Sequence, residues 1–467
     1  MNLAVHGLEG RIAEAITYYQ DEHSLVGKCD FVMTNPPFNV DLVDAGRVKG
    51  DPRLPFGLPG VNKQDKVGNA NYLWISYFWS YLSKAGRAGF VMSSQASSAG
   101  HGERDVRRKL VETGDVDVMI SIWSNFFYTR TVPCELWHLD RAKPPERRDQ
   151  VLMLDARNVY RKITRKIYDF SPEQQKNLAA IVWLYRGEAE RYLGLVRDYL
   201  EEVCAEGSAV AEGLEAFGDT RLEITRRLEA LAAAAKKKAG PGESAKGFAA
   251  TLSEYEEASA LFEKDEATLL SSLDAYADKY ADPSPDTNAT QKKARKAFDA
   301  LAESCRDLVK QVDLLYKLAS RAVELGTALA TDEAATGNGA GSKAPAWDRR
   351  AAAKLVKELD EARKGAVEGL KRPAYLHRQV AWLQDRFPKA EIEAVPGLVR
   401  VVSRVEIEAA DWSLTPGRYV GVAPVEEDED FDFEQTLRDI HTELADLNRE
   451  AVGLAATIAA NFEELGI

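Results

Sequence analysis

One tetrapeptide of this chain sets chemically capable residue types at a fixed spacing: Asn35-Pro36-Pro37-Phe38. The side-chain carbonyl of Asn35 and the backbone carbonyl of Pro36 could accept both hydrogens of an exocyclic amine such as that of adenine. Such an amine is a poor nucleophile because its lone pair is delocalised into the ring. Accepting its hydrogens rehybridises the nitrogen and aims the lone pair at a methyl donor, with no formal base. Pro36 and Pro37 fix φ, and Pro37 has no N–H to compete for the Pro36 carbonyl, so both acceptors are held still. Phe38 offers a flat face to a base taken out of a duplex. With Pro near 5% of average usage, Asn-Pro-Pro-aromatic is roughly a few-per-thousand accident. The plain alternative is a Pro-rich turn that ends a strand.

The elements around it must position these groups. Residues 29–33 form a short apolar strand stopped by Pro36 and Pro37, and in an open α/β sheet ligands bind at the carboxyl ends of strands. Residues 71–83 (NYLWISYFWSYLS) have helical spacing, with Leu73, Tyr77 and Tyr81 on one stripe. The spacing predicts further strands at 90–92, 116–122, 134–139 and 151–154, and a helix over 103–112. Strands alternating with helices argue a largely parallel sheet covered on both faces. Basic residues Arg104, Arg107, Arg108 and Lys109 cluster on the last of these helices, and further clusters follow at 141–148 and 161–166. They could touch phosphates, but charged helix faces are usually just solvated, and that is the reading we adopt.

The chain has 467 residues, enough for two or three domains. From about Ser171 the composition turns to Ala, Glu, Lys, Leu and Arg, typical of long helices. Three stretches, at 236–244, 281–288 and 331–346, read as links between them; the Gly-rich run 337–341 belongs to the last and reads as linker. A compact non-helical piece returns at 395–422, followed by an acidic link at 426–430. In the final helix Leu437, Ile440, Leu444, Leu447, Ala451, Leu454, Ile458, Asn461 and Leu465 form an a/d seam. Such a seam either takes a partner or folds back on the chain's own helices.

The net charge is −13, so this is either no DNA binder or one whose partner supplies the grip. No apolar run reaches the roughly 18 residues of a membrane span, and the N-terminus lacks signal-peptide character. The four cysteines form no C-x-x-C pair, which fits a reducing cytoplasm. The histidines form no H-x-x-x-H pair or Cys/His cluster, so no metal is expected.

The motifs together resemble the modification subunit of type I restriction–modification systems, within the N6-adenine DNA methyltransferases. Residues 1–10 (MNLAVHGLEG), 29–40 (CDFVMTNPPFNV), 51–58 (DPRLPFGL), 68–74 (GNANYLW) and 86–92 (GRAGFVM) look like that family's consecutive blocks. Asn125-Phe126-Phe127-Tyr128 with Pro133 resembles its later aromatic motif, and 395–467 its C-terminal segment. The resemblance implies a fold of class α/β: a partial class I, Rossmann-like S-adenosylmethionine methyltransferase sheet, then a long helical region and a coiled-coil-type terminal helix. It divides the chain into 1–185 (partial catalytic domain), 186–394 (helical) and 395–467 (partner-binding). It implies methyl transfer from S-adenosylmethionine to adenine N6 in double-stranded DNA. Asn35, Pro36, Pro37 and Phe38 carry the reaction, and Asn35 adjoins the methyl donor. Phe38 stacks on the base, with Phe127 or Tyr128 as the second ring. A specificity subunit, a restriction subunit and a second modification subunit are the implied partners.

Methyltransferases of this strand order begin with a strand and a Gly-rich loop, and none precedes Asn35. The expectation is a truncated catalytic part whose first strand lacks a neighbour, so that the chain alone binds S-adenosylmethionine weakly or not at all. An inactive binding or assembly protein is the alternative.

Overall fold

The computed structural model describes residues 5–127, 131–164, 166–236, 243–335 and 347–423, and scattered helical positions between 437 and 461. By its internal contacts the chain divides into one unit of residues 1–421 and another of residues 422–467. At the centre of the first stands a six-stranded sheet made of β1 (Cys29–Thr34), β2 (Leu82–Ser93), β3 (Val116–Ile122), β4 (Cys134–Asp140), β5 (Gln150–Asp155) and β6 (Val399–Ser403). Their spatial order is β1-β2-β4-β3-β5-β6. β1 lies parallel to β2 and β3 parallel to β5, while β4 and β6 run antiparallel to their neighbours. Four of the six strands therefore point the same way, in the mixed α/β sheet that the alternation predicts, with β4 running against them between β2 and β3.

β3 explains why the sheet's middle is firm. Its sequence VDVMISI is buried at every position, as an apolar run covered on both faces must be. Val118, Ile120 and Ile122 pack with Leu178 and Ile181 of α3 (Pro172–Tyr185). On the other face Met119 packs with Trp137, Phe90 and residues of α1 (Asn71–Tyr81) and α2 (His101–Glu112). Ser171 and Gln174 form a reciprocal capping box at the start of α3, and Pro172 costs no donor there.

β2 is longer than the spacing predicts: α1 stops at Tyr81 and the strand begins at Leu82. Leu82 pairs with Cys29 and Arg87 with Phe31, so residues 83–86 form the irregularity that the register carries between Cys29 and Phe31. Only glycine fits at position 86, because a Cβ there would lie 2.5 Å from the Cys29 carbonyl oxygen. Residues 395–422, read from sequence as a compact piece of the C-terminal segment, contribute β6, which pairs with β5 along its length.

Beyond the sheet, α4 (Ala189–Lys236), α5 (Glu243–Tyr280), α6 (Asn288–Ala335) and α7 (Arg349–Arg386) run 48, 38, 48 and 38 residues. α4 and α6 each pack on both α5 and α7, so the four close on one another as a bundle. Their ends fall at the three stretches expected to link helices; the Gly-rich run 337–341 lies outside the described residues. Phe217, Phe262, Tyr276 and Phe298 fill the bundle core, which is continuous with the α3 side of the sheet. Among the described residues no helix is long and apolar enough to cross a membrane.

In residues 422–467 the acidic link, Ile440, Leu447 and Leu465 lie outside the described residues. Leu437, Leu444, Ala451, Leu454, Ile458 and Asn461 are helical and exposed.

Candidate active site

β1 forms an edge of the sheet and delivers the Asn-Pro-Pro-Phe turn at its carboxyl end. Asn35 is exposed, Pro36 buried, Pro37 exposed and Phe38 half-buried. The turn therefore lies at the surface, with Pro36 as its anchor and the Asn35 amide free to meet a ligand. Phe38 packs against the core on both sides of the sheet. Its ring meets Phe127 edge to face, with centroids 6.4 Å apart and planes at 77°. Phe127 follows the single turn Ser124–Phe126 at the carboxyl end of β3 and is itself half-buried. The fold thus brings together the two aromatic positions that the sequence offers as base-stacking rings. Tyr128, the other candidate, lies outside the described residues.

A support layer beneath the turn escaped the sequence reading. Asn39, at φ 54°, takes the left-handed conformation that asparagine tolerates better than most residues. Its N–H donates to Asn71 Oδ1 at 2.9 Å, and Asn71 Nδ2 returns a bond to Asn39 Oδ1 at 2.9 Å. Asn69 Nδ2 adds a third at 3.2 Å. Asn71 is buried at the first turn of α1, so this pair fastens the site turn to a rigid helix. The only sequence trace of it was the Gly-Asn-Ala-Asn spelling of residues 68–71, whose partner lies far away in the chain.

Behind the turn, at the same end of the sheet, lies a buried polar group. Thr34 stands opposite Phe90, and two residues further along β2 Met92 stands opposite Glu135. Ser121 Oγ donates to Glu135 Oε1 at 3.4 Å, while Glu135 Oε2 is buried with no partner. Burial pushes this carboxyl up to about 8, against the lowering effect of Ser97 and Ser121. Ser97 in turn shares a 2.6 Å bond with Thr415, so a C-terminal loop closes over the group.

Arg108 and Lys109 of the basic cluster on α2 are exposed, as a solvated face requires, but Arg107 is not. Arg107 is 1% exposed and donates to the carbonyls of Trp412 (2.6 Å), Ala96 (3.2 Å) and Ala99 (2.8 Å) and to the Tyr72 hydroxyl (3.2 Å). Arg104 pairs with Asp411 and Lys109 donates to the Phe56 carbonyl. Three of the cluster's four residues therefore tie α2 to its surroundings, two of them to residues 411–412. That correction depends on a contact some 300 residues distant, which α2's own sequence does not encode.

The turns that follow the strands bear on a methyl donor. After β1 comes Asn-Pro-Pro, after β2 Ser-Gln-Ala, after β3 Trp-Ser-Asn and after β5 Ala-Arg. None is the Gly-rich turn that lets backbone approach such a cofactor. Among the described residues, the turns that follow these strands do not fit a whole S-adenosylmethionine.

Residues 1–205 match the N-6 DNA methylase family model. The MjaIX type I restriction enzyme methylase subunit of Methanocaldococcus jannaschii is 36% identical over 182 residues, covering 38% of this chain and 32% of the relative. The HindI methylase subunit of Haemophilus influenzae is 28% identical over 182 residues, covering 38% and 39%. A solved type I restriction–modification methyltransferase subunit from Streptococcus thermophilus aligns over 39% of this chain and 38% of its own, at 20% identity and a TM-score of 0.35. The family match takes in 205 of the chain's 467 residues. The chain spans about a third of the length of the curated relatives it matches, and those relatives are type I methylase subunits.

Proposed function

We propose that the chain serves as a modification subunit of a type I restriction–modification complex, transferring methyl groups from S-adenosylmethionine to adenine N6 in duplex DNA. The observation that carries this reading is an exposed Asn35 at a strand tip, with Phe38 and Phe127 meeting beside it. The edge-to-face contact of the rings leaves no slot for a base, so an extruded adenine parts them and stacks on Phe38 with Phe127 against its other face. Stacking on Phe38 presents N6 to the Asn35 side-chain carbonyl and the Pro36 backbone carbonyl, which accept hydrogen bonds from its two N–H groups. As the N–C bond forms and the donor's S–C bond breaks, one of those protons leaves to solvent. Residues 1–185 handle the base, 186–394 form the helical body and 395–467 engage the specificity subunit. The exposed Leu437, Leu444, Leu454 and Ile458 support that last role. A net charge of −13 agrees with a complex in which the specificity subunit grips the DNA. The restriction subunit and a second modification subunit complete the assembly, which acts in the cytoplasm.

The test uses duplexes with 2-aminopurine at the target position, added to the complete complex. Fluorescence rises on base extrusion, and Phe127→Ala lowers the affinity for the extruded state by about tenfold, one lost stacking partner. Unchanged extrusion in both Phe127→Ala and Phe38→Ala would overturn the reading.

A further inference from the structure

We propose that the short hairpin of residues 161–169 grips duplex phosphates beside the extruded base, through Lys162, Lys166 and the Tyr160 hydroxyl. The inference rests on the proposed action on duplex DNA, since the hairpin stands next to the rings that would hold the base.

Arg161–Thr164 pairs antiparallel with Ile167–Asp169, apart from the six-stranded sheet. The hairpin follows β5, whose carboxyl end at Asp155 lies at the same end of the sheet as the Asn-Pro-Pro-Phe turn. Residues 157–169 (RNVYRKITRKIYD) hold five basic side chains and one acidic, in a chain of net charge −13. A basic segment on a chain of the opposite sign marks where a polyanion would be held. From sequence, residues 161–166 read as a solvated face. Their placement argues for a contact surface instead.

The hairpin is fastened to the candidate site. Phe170, directly after it, packs on Phe126 with ring centroids 4.6 Å apart, and the neighbouring Phe127 meets Phe38. Gln174 of α3 donates its Nε2 hydrogen to the Tyr160 carbonyl at 3.1 Å. The hairpin is also braced within itself. Arg161 donates to both carboxylate oxygens of Asp169, at 2.9 and 2.8 Å. Tyr160 stacks on Tyr168 with centroids 4.7 Å apart and planes at 8°. Cations carried on such a frame lose little freedom when an anion binds.

Asp169 engages Arg161, but Lys162, Lys166 and Tyr160 are exposed. Lys162 stands opposite Tyr168 and two residues from Tyr160, so the three share one face. An ammonium beside two phenol rings suits a sugar–phosphate backbone, whose oxygens accept from both groups. A four-residue strand reaches about 13 Å, the span of about four phosphates on one DNA strand. An acidic face of a partner protein would meet the same charges, but nothing ties such a face to the ring pair. The phosphates that flank an extruded base do lie there.

The affinity of the complete complex for a fluorescein-labelled duplex of arbitrary sequence is measured against salt, with Lys162→Gln, Lys166→Gln and both together. Each phosphate contact adds about 0.9 to the steepness of log K against log salt. Each single substitution should therefore make the slope shallower by about 1, and the double variant by about 2. Lys84→Gln, exposed at the amino end of β2, should leave it unchanged. An unchanged slope in the double variant would overturn the proposal. So would a double variant that no longer assembles with its partner subunits, which would make the hairpin a seat for an acidic protein face. A shallower slope in the double variant, with no 2-aminopurine extrusion by the unsubstituted complex, would support the hairpin's role and count against the methyl-transfer reading.

Discussion

The two ends of the sheet are built to different rules. Along β3 and nearly all of β5, side chains are buried on both faces, and Met119 is wholly enclosed. At β1 the same strand geometry leaves Met33 91% exposed and its outer edge unpaired. The buried half owes its position to apolar packing that nothing else needs to complete. The β1 half holds the chemically capable turn, and a few specific bonds, chiefly Asn39 with Asn71, keep that turn in place. Dense packing thus resides at one end of the sheet and the candidate site at the other, the arrangement the proposed function calls for.

Substitutions probe that contrast in decreasing order of effect. Arg107→Ala should cost the most, about 3 kcal/mol or more, because it leaves several buried carbonyls without a donor. Denaturant unfolding would report it, and a loss below about 1 kcal/mol would mean the α2 junction matters little. Met119→Ala, deep in β3, should cost about 2–3 kcal/mol through transfer and cavity terms. Glu135→Gln should alter the pH dependence of stability. The folded protein holds that proton up to about 8, whereas the unfolded chain releases it near 4.5. A raised carboxyl contributes stability that is present below 4.5 and is lost as pH rises through about 8. Between those limits the slope approaches about 1.4 kcal/mol per pH unit, and the glutamine variant should flatten it. Met33→Ala should change stability by less than about 0.5 kcal/mol. A Met33 effect equal to that of Met119 would erase the distinction between the two ends.

The same contrast explains what could be read from sequence. β3 and β5 are legible because continuous apolar runs have few other uses, and the bundle helices because Gly- and Pro-bearing stretches punctuate them. Asn35-Pro36-Pro37-Phe38 is legible because its chemistry is local to four adjacent residues. The first half of β2 is not, since Leu82 and Ser83 continue the helical spacing of 71–83 until Cys29 pairs with Leu82. Arg107 was misread because its ligands come from residues 411–412. The Asn39–Asn71 pair joins two amides of unremarkable spelling, and only the folded chain makes them neighbours.

Everything proposed for this site turns on the Asn35 carbonyl as an acceptor for the target amine. The direct measurement is the rate of methyl incorporation into duplex DNA by the complete complex carrying Asn35→Ala, followed alongside 2-aminopurine fluorescence. The account predicts a rate lower by roughly 100-fold or more, with base extrusion held within about twofold. A rate within a few-fold of the unsubstituted complex, with extrusion intact, would contradict it.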